Sequence, residues 1–280
     1  MSLDKEQEEQ FNYQLLTSTR YDPFLATLSW NNDFEGPCSF FLLPYHFDRL
    51  ISASKTHKWN HTASMFSYGY LKSTCLDAIS KEQRSGSSSC TTFRVNLFFP
   101  LNFIFRLCTW SFFFFPKQIR ITLSQDGKIV VTTTALTTSF TSDPTLLSID
   151  KPPPTIDQGE EGNNYLNIYL DKEPITPSIF TITKTTFRDT YDHARTRNGK
   201  RLQQPGVWSG SDDVILYNDK GYIMEATIFN VAFYRSSKWV TPSTNSGCLP
   251  GVMRRWLLQN HRISEDETGY LTKDSIQLGE

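Results

Sequence analysis

Three places in the chain bring together groups suited to one kind of chemistry. Lys184 follows an apolar, β-branched stretch, residues 179–183, and precedes a polar stretch with helical spacing. A lysine where a strand ends towards a pocket loses hydration, so its pKa falls and its neutral amine can form an imine with an aldehyde. Glu225 closes the apolar run Tyr222-Ile223-Met224. A carboxylate there can keep a ring nitrogen protonated, which lets the ring absorb carbanion charge. Last, Gly247-Cys248-Leu249-Pro250-Gly251-Val252-Met253-Arg254 sets glycine and proline before an apolar-periodic helix. The backbone N–H groups of Gly251, Val252 and Met253 are then free for an anion.

An imine-forming lysine, a ring-nitrogen partner and an anion-binding helix start are the parts that hold pyridoxal phosphate. Each also has a plainer reading. Lys184 could be a solvated charge, Glu225 a solvent-face residue of a strand, and the glycine-proline segment an ordinary helix start. Arg254 and Arg255 could form a solvated face. His46 reads as a packed or capped residue of an apolar helix, and Arg49 could add a bidentate contact to the same anion.

The elements that would position these groups read as follows. Residues 11–20 form a strand that ends in the turn Tyr21-Asp22-Pro23. Phe47, Leu50, Ile51 and Ser54 follow helical spacing. Residues 119–123 and 129–133 flank Asp126-Gly127, a hairpin signal. Residues 165–169 and 179–183 are strand-like, and 186–197 is helical. Residues 214–217, 222–224 and 230–234 suggest a three-strand meander, with Asn230 opening its last strand. Residues 251–260 form a helix.

The expected fold class is α/β (α+β), in two domains. Residues 1–150 form an amino-terminal α/β domain, 151–164 a linker with Pro152-Pro153-Pro154, and 165–280 a carboxyl-terminal domain that binds the cofactor. Residues 95–115 hold eight phenylalanines and a tryptophan, matching neither neighbour in composition. A membrane span, a buried strand pair and translated non-coding sequence all remain open for it. Asn96, Pro100, Asn102 and Arg106, spread through the run, weigh against the membrane.

Composition excludes several function classes. A net charge of −1 and a pI near 6.5 give no nucleic-acid signature. The acidic start, residues 4–10, is not a secretory signal. Five scattered cysteines without a CxxC pair suggest reduced thiols in the cytoplasm and no zinc site.

These segments resemble a known family. Phe229-Asn230-Val231-Ala232, Val240-Thr241-Pro242 and the run from Gly247 to Arg254 look like the signature of class IV aminotransferases, the fold-type IV pyridoxal enzymes. Phe180-Thr181-Ile182-Thr183-Lys184-Thr185-Thr186-Phe187-Arg188-Asp189-Thr190-Tyr191 is similar to the lysine segment of fungal aminodeoxychorismate lyases. Thr19-Arg20-Tyr21-Asp22-Pro23 and His46-Phe47-Asp48-Arg49-Leu50 resemble that family's first strand and its phosphate-contacting helix. The likeness covers residues 11–55 loosely and 165–279 well.

The resemblance implies Lys184 as the Schiff-base lysine and Glu225 as partner of the pyridine nitrogen. It places Arg49 and the amides of Val252 and Met253 at the phosphate, and Leu249 against the ring. It also implies a homodimer that converts 4-amino-4-deoxychorismate to 4-aminobenzoate and pyruvate in folate biosynthesis; the residues themselves lead to the expectation of a cytoplasmic protein with no membrane contact. The alternatives are a branched-chain or D-amino-acid aminotransferase on the same cofactor, and a non-catalytic homologue. The family continues past the position of Glu280 with an apolar strand and a loop that adds a phosphate contact. A chain ending at Glu280 is therefore expected to lack both.

Overall fold

The computed structural model describes residues 12–84, 116–146, 167–202 and 212–277. The first sheet has β1 (Leu15–Tyr21), β2 (Lys117–Leu123) and β3 (Ile129–Ala135), all antiparallel, in the order β1-β2-β3. The expected hairpin joins β2 to β3 with Leu123 opposite Ile129, and Gly127 takes φ 84° in its turn. That left-handed conformation is why glycine follows Asp126.

One face of the sheet is covered by α1 (Leu43–Thr56) and α3 (Tyr68–Arg84), with α2 (Asn60–Met65) between them. Leu15, Ile119, Ile121 and Leu123 pack there against Leu43, Leu50, Leu71 and Ile79. The helical spacing read from Phe47, Leu50, Ile51 and Ser54 holds: Leu50 and Ser54 are buried, and Phe47 and Ile51 are partly buried at the core's edge.

Two smaller sheets follow. In one, β4 (Asn167–Leu170) runs parallel to β5 (Asp212–Tyr217), which pairs antiparallel with β6 (Ile223–Ala226). The other contains β7 (Phe233–Arg235), β8 (Lys238–Thr241) and β9 (Ser264–Glu265). The meander expectation is thus corrected, because β7 leaves β6 and joins β8. Asn230 does not open a strand; its side chain donates to Glu225 Oε2 at 3.1 Å and to the Leu249 carbonyl at 2.8 Å. Those two bonds tie the residues after β6 to the loop at Leu249 and take them out of the sheet.

Residues 179–183 also differ from expectation. They form a single helical turn, α4 (Ile179–Ile182). Ser178 Oγ accepts from the Phe180 N–H, and Thr181 Oγ1 accepts from the Ser178 N–H at 3.0 Å. This reciprocal cap satisfies the turn's orphan donors and overrides the β-propensity of its isoleucines and threonines. The next helix, α5 (Asp189–Arg197), begins three residues later than residue 186, and the Thr186 N–H donates to Gln14 O at 2.8 Å, tying the segment before the helix to the first strand's approach.

α5 packs Tyr191 and Ala194 against Val214, Leu216 and Met224. Arg195 anchors it from below: nearly inaccessible, its guanidinium reaches Asp213, Asp212 and Thr227. α6 (Val252–Gln259) places Val252 and Trp256 against Leu42, beside the start of α1. The stretch 151–164 and the aromatic run 95–115 lie outside the described residues.

Candidate active site

Lys184 is fixed by its backbone before its side chain does anything. The Leu16 N–H of β1 donates to Lys184 O at 2.8 Å, and Leu15 bridges Thr185 across the free edge of the first sheet. The lysine therefore follows a capped helical turn and sits on the edge of β1, not at the end of a strand of its own. Its side chain lines a pocket with Arg188, Tyr191, Glu225 and Thr227. Burial pulls the ammonium down to about 7, with Arg49 and Arg188 adding to the fall and Glu225 opposing it. A desolvated amine among cations is neutral, hence nucleophilic, near neutral pH.

Glu225 stands in β6 with almost no exposed surface. Three donors hold its two oxygens: Tyr191 Oη at 2.8 Å and the Leu249 N–H at 3.3 Å on Oε1, and Asn230 Nδ2 on Oε2. Burial raises its carboxyl to about 7, against the lowering effects of the Tyr191 bond and Lys184. The plainer reading of Glu225 as a solvent-face residue is excluded by this burial.

Arg49 projects from α1 into the same region and is also buried. Its Nη2 donates to Thr17 Oγ1, whose hydroxyl lies 2.6 Å from His46 Nδ1. Burial, then Arg49 and Lys184, press His46 well below its ordinary range, which favours the neutral imidazole. His46 is a packed histidine, as its place on an apolar helix implies. Arg49 Nε has no hydrogen-bond partner among the described residues, and burial beside Arg255 draws the guanidinium down to about 9. An orphaned guanidinium N–H buried this deeply calls for an anion.

The α6 start supplies the other half of an anion site. The N–H groups of Val252 and Met253 precede the first intrahelical bond, Arg255 N–H to Gly251 O. Gly251 itself differs from expectation, since its N–H turns back to Leu249 O at 2.8 Å. What matters at Gly251 is the missing side chain, as a Cβ would lie 1.9 Å from Asn230 Oδ1. Gly251→Ala should therefore push Asn230 off Glu225 and cost about 1–3 kcal/mol of stability, read by urea denaturation. Arg254 is no solvated face: it is buried against Pro242 O and Glu265.

The structure thus gathers Lys184, Glu225, Leu249 and Arg49 around one centre, with the start of α6 packed beside α1. Sequence reasoning assigned no role to Tyr191, Arg188 or Asn230. The first two lie at i and i+3 within the lysine segment, and the Arg188 guanidinium lies 4.7 Å over the Tyr191 ring. That spacing was the available signal. A roomier cavity of about 380 Å³, between Asn218, Ser246 and Asp266, contains none of these residues. Among the described residues, no cluster of metal-ligating side chains occurs, and no helix is long and apolar enough to cross a membrane.

Fold and site together define a class. Residues 88–277 match the amino-transferase class IV family, and the chain belongs to it. It has the mixed α/β architecture of the fold-type IV aminotransferases, a family that uses pyridoxal phosphate. A solved structure from Legionella pneumophila, assigned as a 4-amino-4-deoxychorismate lyase, shares the fold at a TM-score of 0.52 and 12% identity, over 93% of this chain and 74% of that one. A Schizosaccharomyces pombe protein assigned as aminodeoxychorismate lyase is 44% identical over 117 residues, which is 40% of this chain and 47% of that protein. Aminodeoxychorismate lyase of Saccharomyces cerevisiae is 36% identical over 123 residues, 40% of this chain and 32% of that enzyme. The chain spans half or less of the length of these curated relatives.

Proposed function

We propose that this chain binds pyridoxal 5'-phosphate at Lys184 and acts as an aminodeoxychorismate lyase, releasing pyruvate and leaving 4-aminobenzoate. The observation that carries this reading is the shared pocket of a desolvated Lys184 and a buried, triply bonded Glu225. The orphaned Arg49 Nε and the N–H groups of Val252 and Met253, which precede the first intrahelical bond of α6, fit a phosphate at the other end. When bound, the cofactor supplies an aldehyde for amines and a pyridinium ring that takes up an electron pair.

The roles of the residues follow from their chemistry. Glu225 would serve the ring nitrogen and keep it protonated. Arg49 and the amides of Val252 and Met253 would hold the phosphate, and Leu249 would pack on the ring. Lys184, neutral near pH 7, takes the proton from the substrate carbon that bears nitrogen. Cleavage of the ether bond then expels the three-carbon group, whose oxygen becomes the ketone of pyruvate, and aromatisation of the six-membered ring drives the step. The reading carries with it a cytoplasmic homodimer and a division of the chain near residues 151–164.

The protein should turn yellow on titration with pyridoxal phosphate and release pyruvate from 4-amino-4-deoxychorismate with no 2-oxo acid added. A coloured protein that needs a 2-oxo acid for turnover would instead be an aminotransferase. One that stays colourless would be neither.

A further inference from the structure

The Lys184 pocket carries more positive charge than its one carboxylate can offset. Arg188 lines it, giving one Nη2 hydrogen to Thr227 O at 2.7 Å. Its remaining N–H groups bond no acceptor and form no ion pair among the described residues, although its charge also acts on Asp192, one turn along α5. Glu225 is not available to it, since Tyr191, Leu249 and Asn230 already hold both oxygens. Arg120, on β2, adds a second guanidinium whose charge repels that of Arg188, and it makes no ion pair among the described residues. The phosphate end is served separately by Arg49 and the start of α6.

A planar guanidinium with spare donors, held in place by a backbone carbonyl and an aromatic face, matches a carboxylate, which takes two parallel N–H bonds. We infer that Arg188 is a specificity residue that receives a carboxylate of the substrate, with Arg120 reinforcing its field. This rests on the reading of Lys184 as the cofactor lysine, which sets where a substrate must lie. An arginine in this role selects acids over neutral amines and explains why the pocket is cationic although one of its cations, Lys184, must shed its proton.

The test is equilibrium binding of benzoate and of benzamide, its uncharged counterpart, to the full chain with and without pyridoxal phosphate. Wild type should favour benzoate by about tenfold or more, and Arg188→Gln should bring that ratio close to one. Arg188→Lys should retain part of it, because an ammonium keeps the charge and loses the fork. At a pH high enough for Lys184 to be neutral with or without the Arg188 charge, cofactor affinity and the position of the visible band should be the same in Arg188→Gln as in wild type. A shifted band or weakened cofactor binding at that pH would assign Arg188 to an anionic oxygen of the cofactor and overturn the inference. A benzoate preference that survives Arg188→Gln would overturn it as well. If Arg188→Gln fails to fold, Arg188→Lys decides: a reduced preference supports the inference and an undiminished one overturns it. Wild type that binds no cofactor yet prefers benzoate through Arg188 would sink the cofactor reading alone. Cofactor uptake without any benzoate preference would sink the carboxylate site alone.

Discussion

Lys184→Ala is expected to abolish the visible band that pyridoxal phosphate acquires on binding, and to lower lyase turnover by on the order of 10⁴-fold. On the proposed reading both losses follow from one side chain, because the amine that captures the cofactor is the group that later moves the proton. That reading holds the phosphate without Lys184, so residual, reversible binding of the cofactor through Arg49 and α6 should persist. Equilibrium dialysis separates that binding from the spectral change. The pH dependence of capture gives a second check. With its ammonium drawn down to about 7 by burial, Lys184 is neutral in the folded protein above that pH. Cofactor capture in wild type should thus rise with pH and reach half its limit near 7, far below the 10.5 of an exposed lysine. A capture rate that climbs only near the ordinary lysine range would refute the desolvated-amine account, and a Lys184→Ala protein with an unchanged visible band would refute the assignment.

How much of this was legible depends on the range of the interaction concerned. Asp126-Gly127 announced the β2–β3 hairpin because a two-residue turn is set by its own residues. The spacing of Phe47, Leu50, Ile51 and Ser54 gave α1, and Gly251 stood at the expected boundary of α6 as its N-cap. Where a side chain competes with the backbone, local pattern misled. Residues 179–183 look like a strand by composition, yet Ser178 and Thr181 cap them into a turn. Asn230 reads as the start of a strand, yet its amide spans from Glu225 to Leu249. The site shows the same division. Lys184 and Glu225 were visible because each stands in an apolar run where a charge is out of place. Tyr191 was not, since an aromatic residue inside a helix is ordinary until its hydroxyl is found on Glu225. Arg188 was hidden for a different reason. Its distinction is a set of N–H groups that bond no acceptor among the described residues, and that exists only in three dimensions.

Glu225→Gln separates the electrostatic role of the site from its architecture. If Glu225 keeps the ring nitrogen protonated, a neutral amide of the same shape leaves the cofactor bound and removes its electron-accepting power. Turnover should then fall by roughly 10²–10³-fold, with little change in cofactor affinity. The substitution also disturbs local bonding, because the new amide nitrogen meets Asn230 Nδ2, itself a donor that also serves Leu249 O. That part of the cost is independent of pH. The charge is not. Burial raises the Glu225 carboxyl from 4.5 to about 7, so its contribution to stability is full below 4.5 and is lost as the pH rises through about 7. Glutamine carries no such loss. Relative to wild type, cofactor-free Glu225→Gln should therefore gain stability between about pH 5 and about pH 8, whatever its offset at either pH. Thermal melts at the two pH values give that difference directly, with the hydrogen-bond cost cancelling. Lys184 shifts in the opposite sense, losing stability as the pH falls from above 10.5 through about 7. Repeating the melts in a Lys184→Met background, with and without Glu225→Gln, isolates the glutamate. A pH-invariant difference there would mean that Glu225 is not a buried carboxylate kept for a positive partner, and unchanged turnover in Glu225→Gln would remove it from the chemistry.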